Sequence, residues 1–135
     1  MIELPAGERR LDVCVRGTAH AETRMELELW LTDTDDVTLA FFSAAHAQGV
    51  TPLWPAGPFE LRRSRRLPAT THRGEYFLNL SLTHHNVCGW MDCYRAVRLH
   101  AEGTPTATGR PLEYREGKGL FTLEEAPEAS AGATA

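Results

Sequence analysis

The sequence predicts an all-β fold, an antiparallel sandwich of about seven or eight strands. Apolar and polar residues alternate with a period of two over several segments, most clearly over residues 25–32 and 76–83. Residues that favour turns separate these segments about every ten positions. Only residues 44–47 suggest even a turn of helix. This combination is typical of a sandwich of antiparallel sheets.

The first predicted strands lie in the N-terminal third of the chain. Alternation over residues 11–16 predicts a strand that ends at Gly17. The strict alternation over residues 25–32 predicts a second strand, because a helical period would scatter its leucines around the axis. The sequence TDTDD at residues 32–36 is typical of a turn. We therefore expect the apolar run at residues 37–42 to complete a hairpin.

A long connection and two further strands follow. Gly and Pro residues over residues 43–58 predict a connection without continuous regular structure. Residues 59–62 alternate again, and residues 76–83 form the clearest strand, with large apolar groups on one face. Residues 84–92 are predicted to be a decorated loop, and residues 96–100 a strand facing the same core.

The C-terminal part of the chain is predicted to end the sandwich with short strands. Residues 112–115 and 120–123 are strand candidates around a Gly-Lys-Gly turn. The segment at residues 126–135, rich in Ala, Glu, Pro and Ser, has too little apolar content to join a core. The sequence therefore predicts one domain over residues 1–125 and a disordered tail over residues 126–135.

Composition excludes several classes of protein. Fourteen Lys and Arg against eighteen Asp and Glu give a net charge of −4, which argues against nucleic acid as the main partner. No apolar run approaches the ~20 residues that cross a bilayer, and the N-terminus lacks a secretory pattern, so a cytoplasmic location is expected. An odd number of cysteines predicts free thiols in a reducing compartment. These cysteines are Cys14, Cys88 and Cys93.

The predicted strands carry a candidate sugar-binding surface. Carbohydrates are recognised by aromatic rings that stack on pyranose faces and by planar polar side chains that bond hydroxyl groups. Both kinds of group occur on the outward faces of three predicted strands, which would form one polar surface if the strands are neighbours. The candidates are Trp30, Glu26, Glu28, Asn79, Ser81, Arg98 and His100. The alternative is a solvated face with a partly covered tryptophan.

The predicted loop at residues 84–92 is the second candidate. Its possible sugar contacts are His84, His85, Trp90 and Asp92. A hydrophobic plug of Trp90 and Met91 at the end of the sandwich is the plainer alternative. Zinc is disfavoured because adjacent histidines point in different directions and Cys88-x4-Cys93 is wider than the usual spacing. A cysteine nucleophile with a histidine base and Asp92 has the right residue types without a defined geometry.

Two charged clusters have structural explanations that outweigh functional ones. The arginines at residues 62–66 could hold phosphate or sulfate groups, but such runs most often protect the edge of a sheet. Asp33, Asp35 and Asp36 lack the glycine and distal glutamate of a calcium loop, so a hairpin turn is the preferred interpretation.

Five segments occur in a recognisable order. They are LELWLTDTDDVTLAFFS, PFELRRSRRLP, GEYFLNLSL, MDCYRAVRLHAEG and GKGLFTLEE. Over residues 7–125 this order resembles the C-terminal carbohydrate-binding domain of Wzt-type ATP-binding subunits of polysaccharide (O-antigen) ABC exporters. The resemblance implies an immunoglobulin-like or jelly-roll sandwich, often dimeric, that recognises the exported polysaccharide on the cytoplasmic side. The chain lacks the family's Walker A sequence, so it does not supply ATP hydrolysis itself.

The function predicted from the sequence is noncatalytic polysaccharide recognition, without a cofactor or metal. The expected partners are a bacterial polysaccharide, exporter subunits and a second copy of the chain, with no direct insertion into the membrane. The alternatives are a protein–protein interaction module and an enzyme built on the His/Cys loop. An interaction module should show a contiguous apolar patch. A glycan site should combine an aromatic ring with carboxylate, amide and guanidinium groups.

Overall fold

The computed structural model describes residues 1–7 and 9–127. Its strands are β1 (Ile2–Leu4), β2 (Arg10–Ala19), β3 (Thr23–Arg24), β4 (Glu26–Thr32), β5 (Thr38–Ser43), β6 (Leu53–Trp54), β7 (Gly57–Arg66), β8 (Gly74–His84) and β9 (Cys88–Ala101). A short helix, α1 (Ala44–Gln48), follows β5, and a 3-10 helix spans Tyr114–Glu116. The predicted helical turn and the predicted hairpin of β4 and β5 are both present.

Two sheets of unequal width form the sandwich. The larger sheet has five strands in the order β1-β9-β8-β4-β5, and the smaller one pairs β2 with β7. A third, short pair joins β3 to β6. The all-β sandwich prediction is confirmed, with one difference in detail. Strand β1 runs parallel to β9, so the larger sheet is mixed, whereas the sequence predicted an antiparallel arrangement throughout.

The core lies between these sheets and follows the alternation of the sequence. The leucines of β4 point toward β7, whose Leu61 is fully buried, and so do Tyr76, Leu78, Leu80 and Leu82 of β8. Tyr76 is also fully buried, and its hydroxyl donates to the carbonyl of His72 at 2.7 Å. Burial raises the pKa of Tyr76, because the low-dielectric interior disfavours the phenolate. The strict period of two in β4 and β8 is therefore the pattern that builds the core.

The predicted loop at residues 84–92 is largely strand, which corrects the sequence prediction. Strand β8 extends to His84 and β9 begins at Cys88, so only residues 85–87 connect them. Asn86 closes this turn with a positive φ of 62°, a conformation that asparagine tolerates better than most residues. The side chains from Cys88 onward therefore alternate between the two faces of the sheet.

The predicted strands at residues 112–115 and 120–123 are also wrong. Each contributes only an isolated bridge, Arg73 with Glu113 and Thr71 with Phe121. Between them the chain turns at Gly117, which has a φ of 74° and accommodates the end of the 3-10 helix. The segment therefore caps the sheet end and does not extend it.

Several features concern the chain as a whole. Cys14, Cys88 and Cys93 are free thiols. No helix within residues 1–7 and 9–127 has the length and apolar character that crossing a membrane requires. Residues 128–135 lie outside the described part of the chain, so the tail predicted for residues 126–135 and its boundary stay predictions.

The guanidinium of Arg9 connects β1 to the end of β9 through hydrogen bonds. Its side chain is fully buried, and Nη1 donates to the carbonyls of Leu4 at 2.6 Å and Pro5 at 2.8 Å. The other terminal nitrogen, Nη2, donates to the carbonyl of Glu102, just after β9. Burial lowers the pKa of Arg9, although the nearby Glu102 carboxylate opposes this effect.

Candidate functional site

The outer face of the larger sheet, the side turned away from β2 and β7, brings together the strands that carry the candidate residues. Strands β4, β8 and β9 are neighbours, as a shared surface requires. Trp30 lies opposite Asn79 across the β4–β8 pair. Ser81 lies opposite Glu28 on one side and opposite Asp92 on the other. The outward positions of three strands therefore form continuous rows across the sheet.

A bulge in β9 interrupts this face at Asn79. Leu78 pairs with Val97 and Leu80 pairs with Cys93, so one residue of β8 faces the three residues 94–96 of β9. Arg95, at the centre of the bulge, has a positive φ of 50°. Bulges of this kind bend a strand and redirect its side chains. Here the bulge turns two side chains, at positions 94 and 95, toward the outer face.

The side chain of Asn79 holds the bulge in place. Its Oδ1 accepts the backbone N–H of Arg95 at 2.7 Å, and its Nδ2 donates to Thr32 Oγ1 at 3.0 Å and to the Trp30 carbonyl at 3.2 Å. Only 2% of Asn79 is exposed. Since its amide is buried and fully hydrogen-bonded, Asn79 positions the site and is not placed to contact a ligand.

Aromatic rings form a strip across the middle of the outer face. The ring of Tyr94 meets Trp30 edge to face, with centroids 5.8 Å apart, and 71% of Tyr94 is exposed. Phe41 lies opposite Trp30 on β5 and is also exposed. We call Phe41, Trp30, Tyr94 and Phe77 the aromatic strip.

A guanidinium group borders the aromatic strip. Arg95 lies over the ring of Phe77, 4.2 Å from its centroid. The same guanidinium reaches the turn between β4 and β5, where Nη2 donates to Asp36 Oδ1 at 3.0 Å and to the Thr34 carbonyl at 3.1 Å. The strip therefore places apolar ring faces beside a cation whose orientation is fixed by these contacts.

Acidic and imidazole groups gather at the β8–β9 turn, beside the aromatic strip. Ser81 donates to Asp92 Oδ1 at 2.5 Å, which orients the exposed carboxylate. Nδ1 of His85 lies 3.6 Å from Glu28 Oε1. Trp90 donates from Nε1 to the Arg24 carbonyl at 2.9 Å and keeps about half of its surface exposed. This end of the face thus presents hydrogen-bond donors and acceptors next to the indole of Trp90.

A polar cavity of about 370 Å³ occupies the opposite end of the larger sheet. Its lining includes Asp33, Arg73, Glu75, His100, Glu113 and Tyr114. Arg98 donates to Glu75 Oε1 at 2.7 Å, and this hydrogen bond lowers the pKa of Glu75. His100 Nδ1 lies 2.8 Å from Glu3 Oε2.

Asp33 and Tyr114 are joined at the wall of this cavity. Burial alone would raise the pKa of Asp33, but hydrogen bonds from the Val37 amide, the Tyr114 hydroxyl and the Asp35 amide outweigh it, so the pKa lies below its usual value. The bond donated by Tyr114 measures 2.8 Å, and it raises the pKa of that tyrosine. Both shifts follow from one hydrogen bond that needs an ionised acid and a protonated phenol.

The candidate residues are thus distributed over three places along the larger sheet. Glu28, Ser81, His84, His85, Trp90 and Asp92 surround the β8–β9 turn, Trp30 and Asn79 lie in the middle, and Arg98 and His100 lie at the far end. From Glu75 to His84 along β8 the face extends for about 30 Å at the rise of a strand. An elongated ligand, rather than a compact one, could span these groups.

Glu26 does not belong to this face, which corrects the sequence grouping. Its side chain is fully buried, accepts the Leu27 N–H at 2.9 Å and forms an ion pair with Arg63 of β7. An acid at the start of β4 therefore joins the two sheets. The sequence could not show this pairing because the partner arginine lies on a distant strand.

Several residues of the site were not among the sequence candidates. Tyr94 continues the outward alternation of Trp90 and Asp92, so treating residues 88–94 as a strand would have identified it. Arg95 carries no such signal, because its orientation depends on the bulge. The cavity residues Glu113 and Tyr114 lie in a segment that the sequence predicted as strand.

The geometry also bears on metal and nucleophile chemistry. Within residues 1–7 and 9–127, no group of three or more His, Cys, Asp or Glu side chains is arranged to hold a metal ion. Cys93 pairs with Leu80 on the core side of the sheet, whereas Asp92 pairs with Ser81 on the outer face. A cysteine, histidine and Asp92 triad through Cys93 is therefore not assembled here.

Comparison with known proteins identifies the fold. No protein-family model matches the chain, and no curated protein matches its sequence. Among solved structures, the crystal structure of the C-terminal domain of Wzt aligns with a TM-score of 0.67 at 13% sequence identity. The alignment covers 94% of this chain and 73% of the Wzt chain. The chain therefore has the fold of that domain, as the order of its strands and turns predicted.

Proposed function

We propose that this chain is a noncatalytic module that binds a polysaccharide along the outer face of its larger sheet, with the aromatic strip at the centre. One observation carries the proposal. An exposed tyrosine, on a bulge that a buried asparagine holds in place, meets a half-buried tryptophan of β4 edge to face, with ring centroids 5.8 Å apart. Rigid rings flanked by directed polar groups are what sugar recognition requires.

The polar groups on either side of the strip suit the hydroxyl groups of a sugar chain. Glu28 and Asp92 offer acceptors toward the β8–β9 turn, where His85 adds an imidazole. Arg95 offers donors on the other side of the strip. A pyranose stacked on Tyr94 would have its equatorial hydroxyls directed toward both sets of groups. The length of the face favours a polymer over a single sugar.

The fold and the resemblance together extend this proposal to a biological setting. The fold of the Wzt C-terminal domain supports a role beside a polysaccharide ABC exporter on the cytoplasmic side. In that setting, two copies of the chain as a homodimer would engage repeating units of one polysaccharide. Weak binding at each copy would then be multiplied through avidity.

The outer face distinguishes this proposal from a protein-interaction module. An interaction module is expected to present a contiguous apolar patch. Here Arg95 borders the aromatic strip beside Phe77, and Glu28 and Asp92 lie in the outward row next to that of Trp30 and Asn79. The mixture of ring faces, carboxylates and a guanidinium favours a glycan.

A glycan-array screen with matched variants tests the proposal. After circular dichroism confirms folding, the wild type is compared with Tyr94→Ala, Trp30→Ala and Trp90→Ala, with Phe121→Ala as an exposed aromatic control away from the face. We expect selective binding to a bacterial polysaccharide that Tyr94→Ala weakens about tenfold or more, because one stacking ring is lost. Phe121→Ala should bind as the wild type does.

Two outcomes would contradict glycan recognition at this face. The first is that the folded wild type binds no glycan on an array rich in bacterial polysaccharides. The second is binding that all three variants of the outer face retain, which would move the site elsewhere on the molecule.

A further inference from the structure

The unequal width of the two sheets leaves a cleft at one side of the sandwich. The larger sheet reaches beyond β7 to β5, whose inward residues Ala40 and Phe42 remain only half buried. The cleft has a volume of about 280 Å³, close to the lower end of the range for ligand pockets. Most of its lining is apolar and includes Leu11, Leu29, Leu31, Phe42, Leu67 and Leu78.

Two arginines at the end of β7 form the mouth of the cleft. Arg65 lies opposite Leu11 in the β2–β7 pair, and its guanidinium lies over the ring of Phe42, 3.6 Å from the centroid. Arg65 and Arg66 also line a second cavity of about 310 Å³, together with Arg10 and Ser64. An apolar cleft and a cationic cavity therefore adjoin at the same two side chains.

Among residues 1–7 and 9–127, no acid forms an ion pair with either of these two arginines, in contrast to their neighbours on β7. Arg62 pairs with Glu60, and Arg63 pairs with Glu26. Within the described residues, no carboxylate lies within 4.0 Å of the guanidinium of Arg65 or Arg66. Arg65 instead donates from Nη1 to the carbonyl of Ser64 at 2.7 Å. Two forks of N–H donors are therefore available to an anion beside an apolar surface.

We propose that this cleft binds one molecule of a single-chain amphiphile with an anionic head. The alkyl chain enters between the sheets, and a phosphate or carboxylate head lies between Arg65 and Arg66. The volume suits one chain, and the charge at the mouth selects against neutral and cationic heads. Trp30 and Phe41 of the aromatic strip also contribute to the lining of the cleft, but the proposed binding of an amphiphile does not depend on glycan binding.

Titration calorimetry with three small probes tests both halves of the site. The probes are octyl phosphate, octyl glucoside and inorganic phosphate, each below any micelle-forming concentration. We expect one octyl phosphate per chain, bound at least tenfold more tightly than either other probe, because only this probe supplies both chain and charge. In a series from hexyl to octyl phosphate, each added methylene should tighten binding about fourfold until the cleft is full.

Variants separate the contributions of head and chain. Arg65→Gln should weaken octyl phosphate about tenfold and leave octyl glucoside unchanged, whereas Arg62→Gln, on the same strand but facing outward, should change neither. Ala40→Leu should fill the cleft and weaken both alkyl probes. Arg66→Gln repeats the test at a residue that does not stack on Phe42, in case Arg65→Gln affects folding.

Four results would overturn the proposal. Inorganic phosphate binding as tightly as octyl phosphate would indicate a site for anions alone. Equal affinity for octyl phosphate and octyl glucoside would show that the arginines do not distinguish an anionic head group from a neutral one. Binding to anionic lipid vesicles but not to monomeric octyl phosphate would indicate a membrane surface. A dimer by light scattering, which Ala40→Leu dissociates and no alkyl probe disrupts, would show that a second copy fills the cleft.

Discussion

The two outward faces of the sandwich have similar alternating sequences but differ in the burial of their polar side chains. On the larger sheet, Thr32, Asn79 and Ser81 are each at most 4% exposed. Asn79 donates to Thr32 of β4, and Ser81 donates to Asp92 of β9. On the smaller sheet, Arg10 and Asp12 are exposed and pair at 2.9 Å in solvent. Alternation places polar groups on an outer face, but it does not determine whether they are covered.

The difference comes from the bulge in β9. Strands β2 and β7 pair in register over all ten residues of each strand, so their outward side chains extend freely into water. In the larger sheet, the bulge brings Tyr94 and Arg95 over the polar row beneath them. Burying that row is unfavourable unless each group finds a partner; Asn79 bonds Thr32 and Arg95, and Asp92 accepts from Ser81. Covered polar groups on an outward sheet face therefore indicate a rigid surface, which binding requires.

The largest predicted effect is on the covered face. Asn79→Ala should lower the free energy of unfolding by about 2–4 kcal/mol, because it leaves the partly buried N–H of Arg95 and the hydroxyl of Thr32 without the Asn79 amide as a partner. Urea denaturation followed by tryptophan fluorescence measures this loss. The variant should also bind glycans more weakly, since Tyr94 would no longer be held in position.

Ser64→Ala is the matched control on the exposed face. Its hydroxyl donates to Asp12 Oδ1 at the surface, where water replaces the lost partner. We expect no measurable change in the urea midpoint. Equal losses in the two variants would contradict the distinction between the faces.

A smaller effect is predicted at Asp33, at the far end of the larger sheet. The lowered pKa of Asp33 means that it stabilises the fold above its unfolded value of about 3.9, and that this contribution is lost as pH falls through the folded value. Asp33→Asn should therefore lower the free energy of unfolding by about 1–2 kcal/mol at pH 7. The difference in stability between the variant and the wild type should become smaller below about pH 4. Thermal unfolding between pH 2 and pH 8 measures both.

Salt provides the control for Asp33. The partners of Asp33 are backbone amides and a neutral phenol. The difference in stability between wild type and Asp33→Asn at pH 7 should therefore persist in about 1 M NaCl, where ion pairs at the surface are screened. A gap that disappears in salt, or one that stays constant down to pH 2, would contradict this account.

The smallest effect is predicted on the exposed face. Arg10→Gln should shift the melting temperature by less than about 3 °C at low salt and by nothing measurable at high salt. The pair with Asp12 is exposed to solvent, and ordering its side chains offsets much of its attraction. Differential scanning calorimetry at two salt concentrations checks this. A larger shift would mean that this face, too, holds a structured network.

Local patterns account for the parts of the fold that the sequence predicted. The alternation in β4 and β8 specifies which side chains are buried, and this requires no knowledge of the partner strands. The acidic turn before β5 is likewise set by short-range hydrogen bonds, as the bonds from the amides of Asp35 and Val37 to Asp33 show. These elements are predictable because their causes lie within a few residues.

The missed features depend on contacts that are distant in sequence. Glu26 is buried because Arg63, 37 residues away and on the other sheet, pairs with it. The bulge at Arg95 forms because Asn79 reaches across from β8. The candidate residues at the β8–β9 turn and along the strands were identified by type, but Tyr94 was missed because residues 84–92 were assigned to a loop. Composition can suggest a candidate sugar site, whereas the arrangement of Tyr94 and Arg95 depends on a tertiary hydrogen bond.

Arg9 influences the order in which the larger sheet can assemble. The guanidinium bonds a carbonyl 93 residues away in the chain, and closing so long a loop costs entropy before any contact compensates. The carbonyls of Leu4 and Pro5 share this guanidinium with that of Glu102, which directly follows β9. We expect this contact to form after β9 has paired with β8, because the β8–β9 hairpin closes a much shorter loop. Strand β1 therefore joins an edge that the β8–β9 hairpin must first create. Among the described strands, β1 is thus synthesised first but is expected to pair with the sheet late.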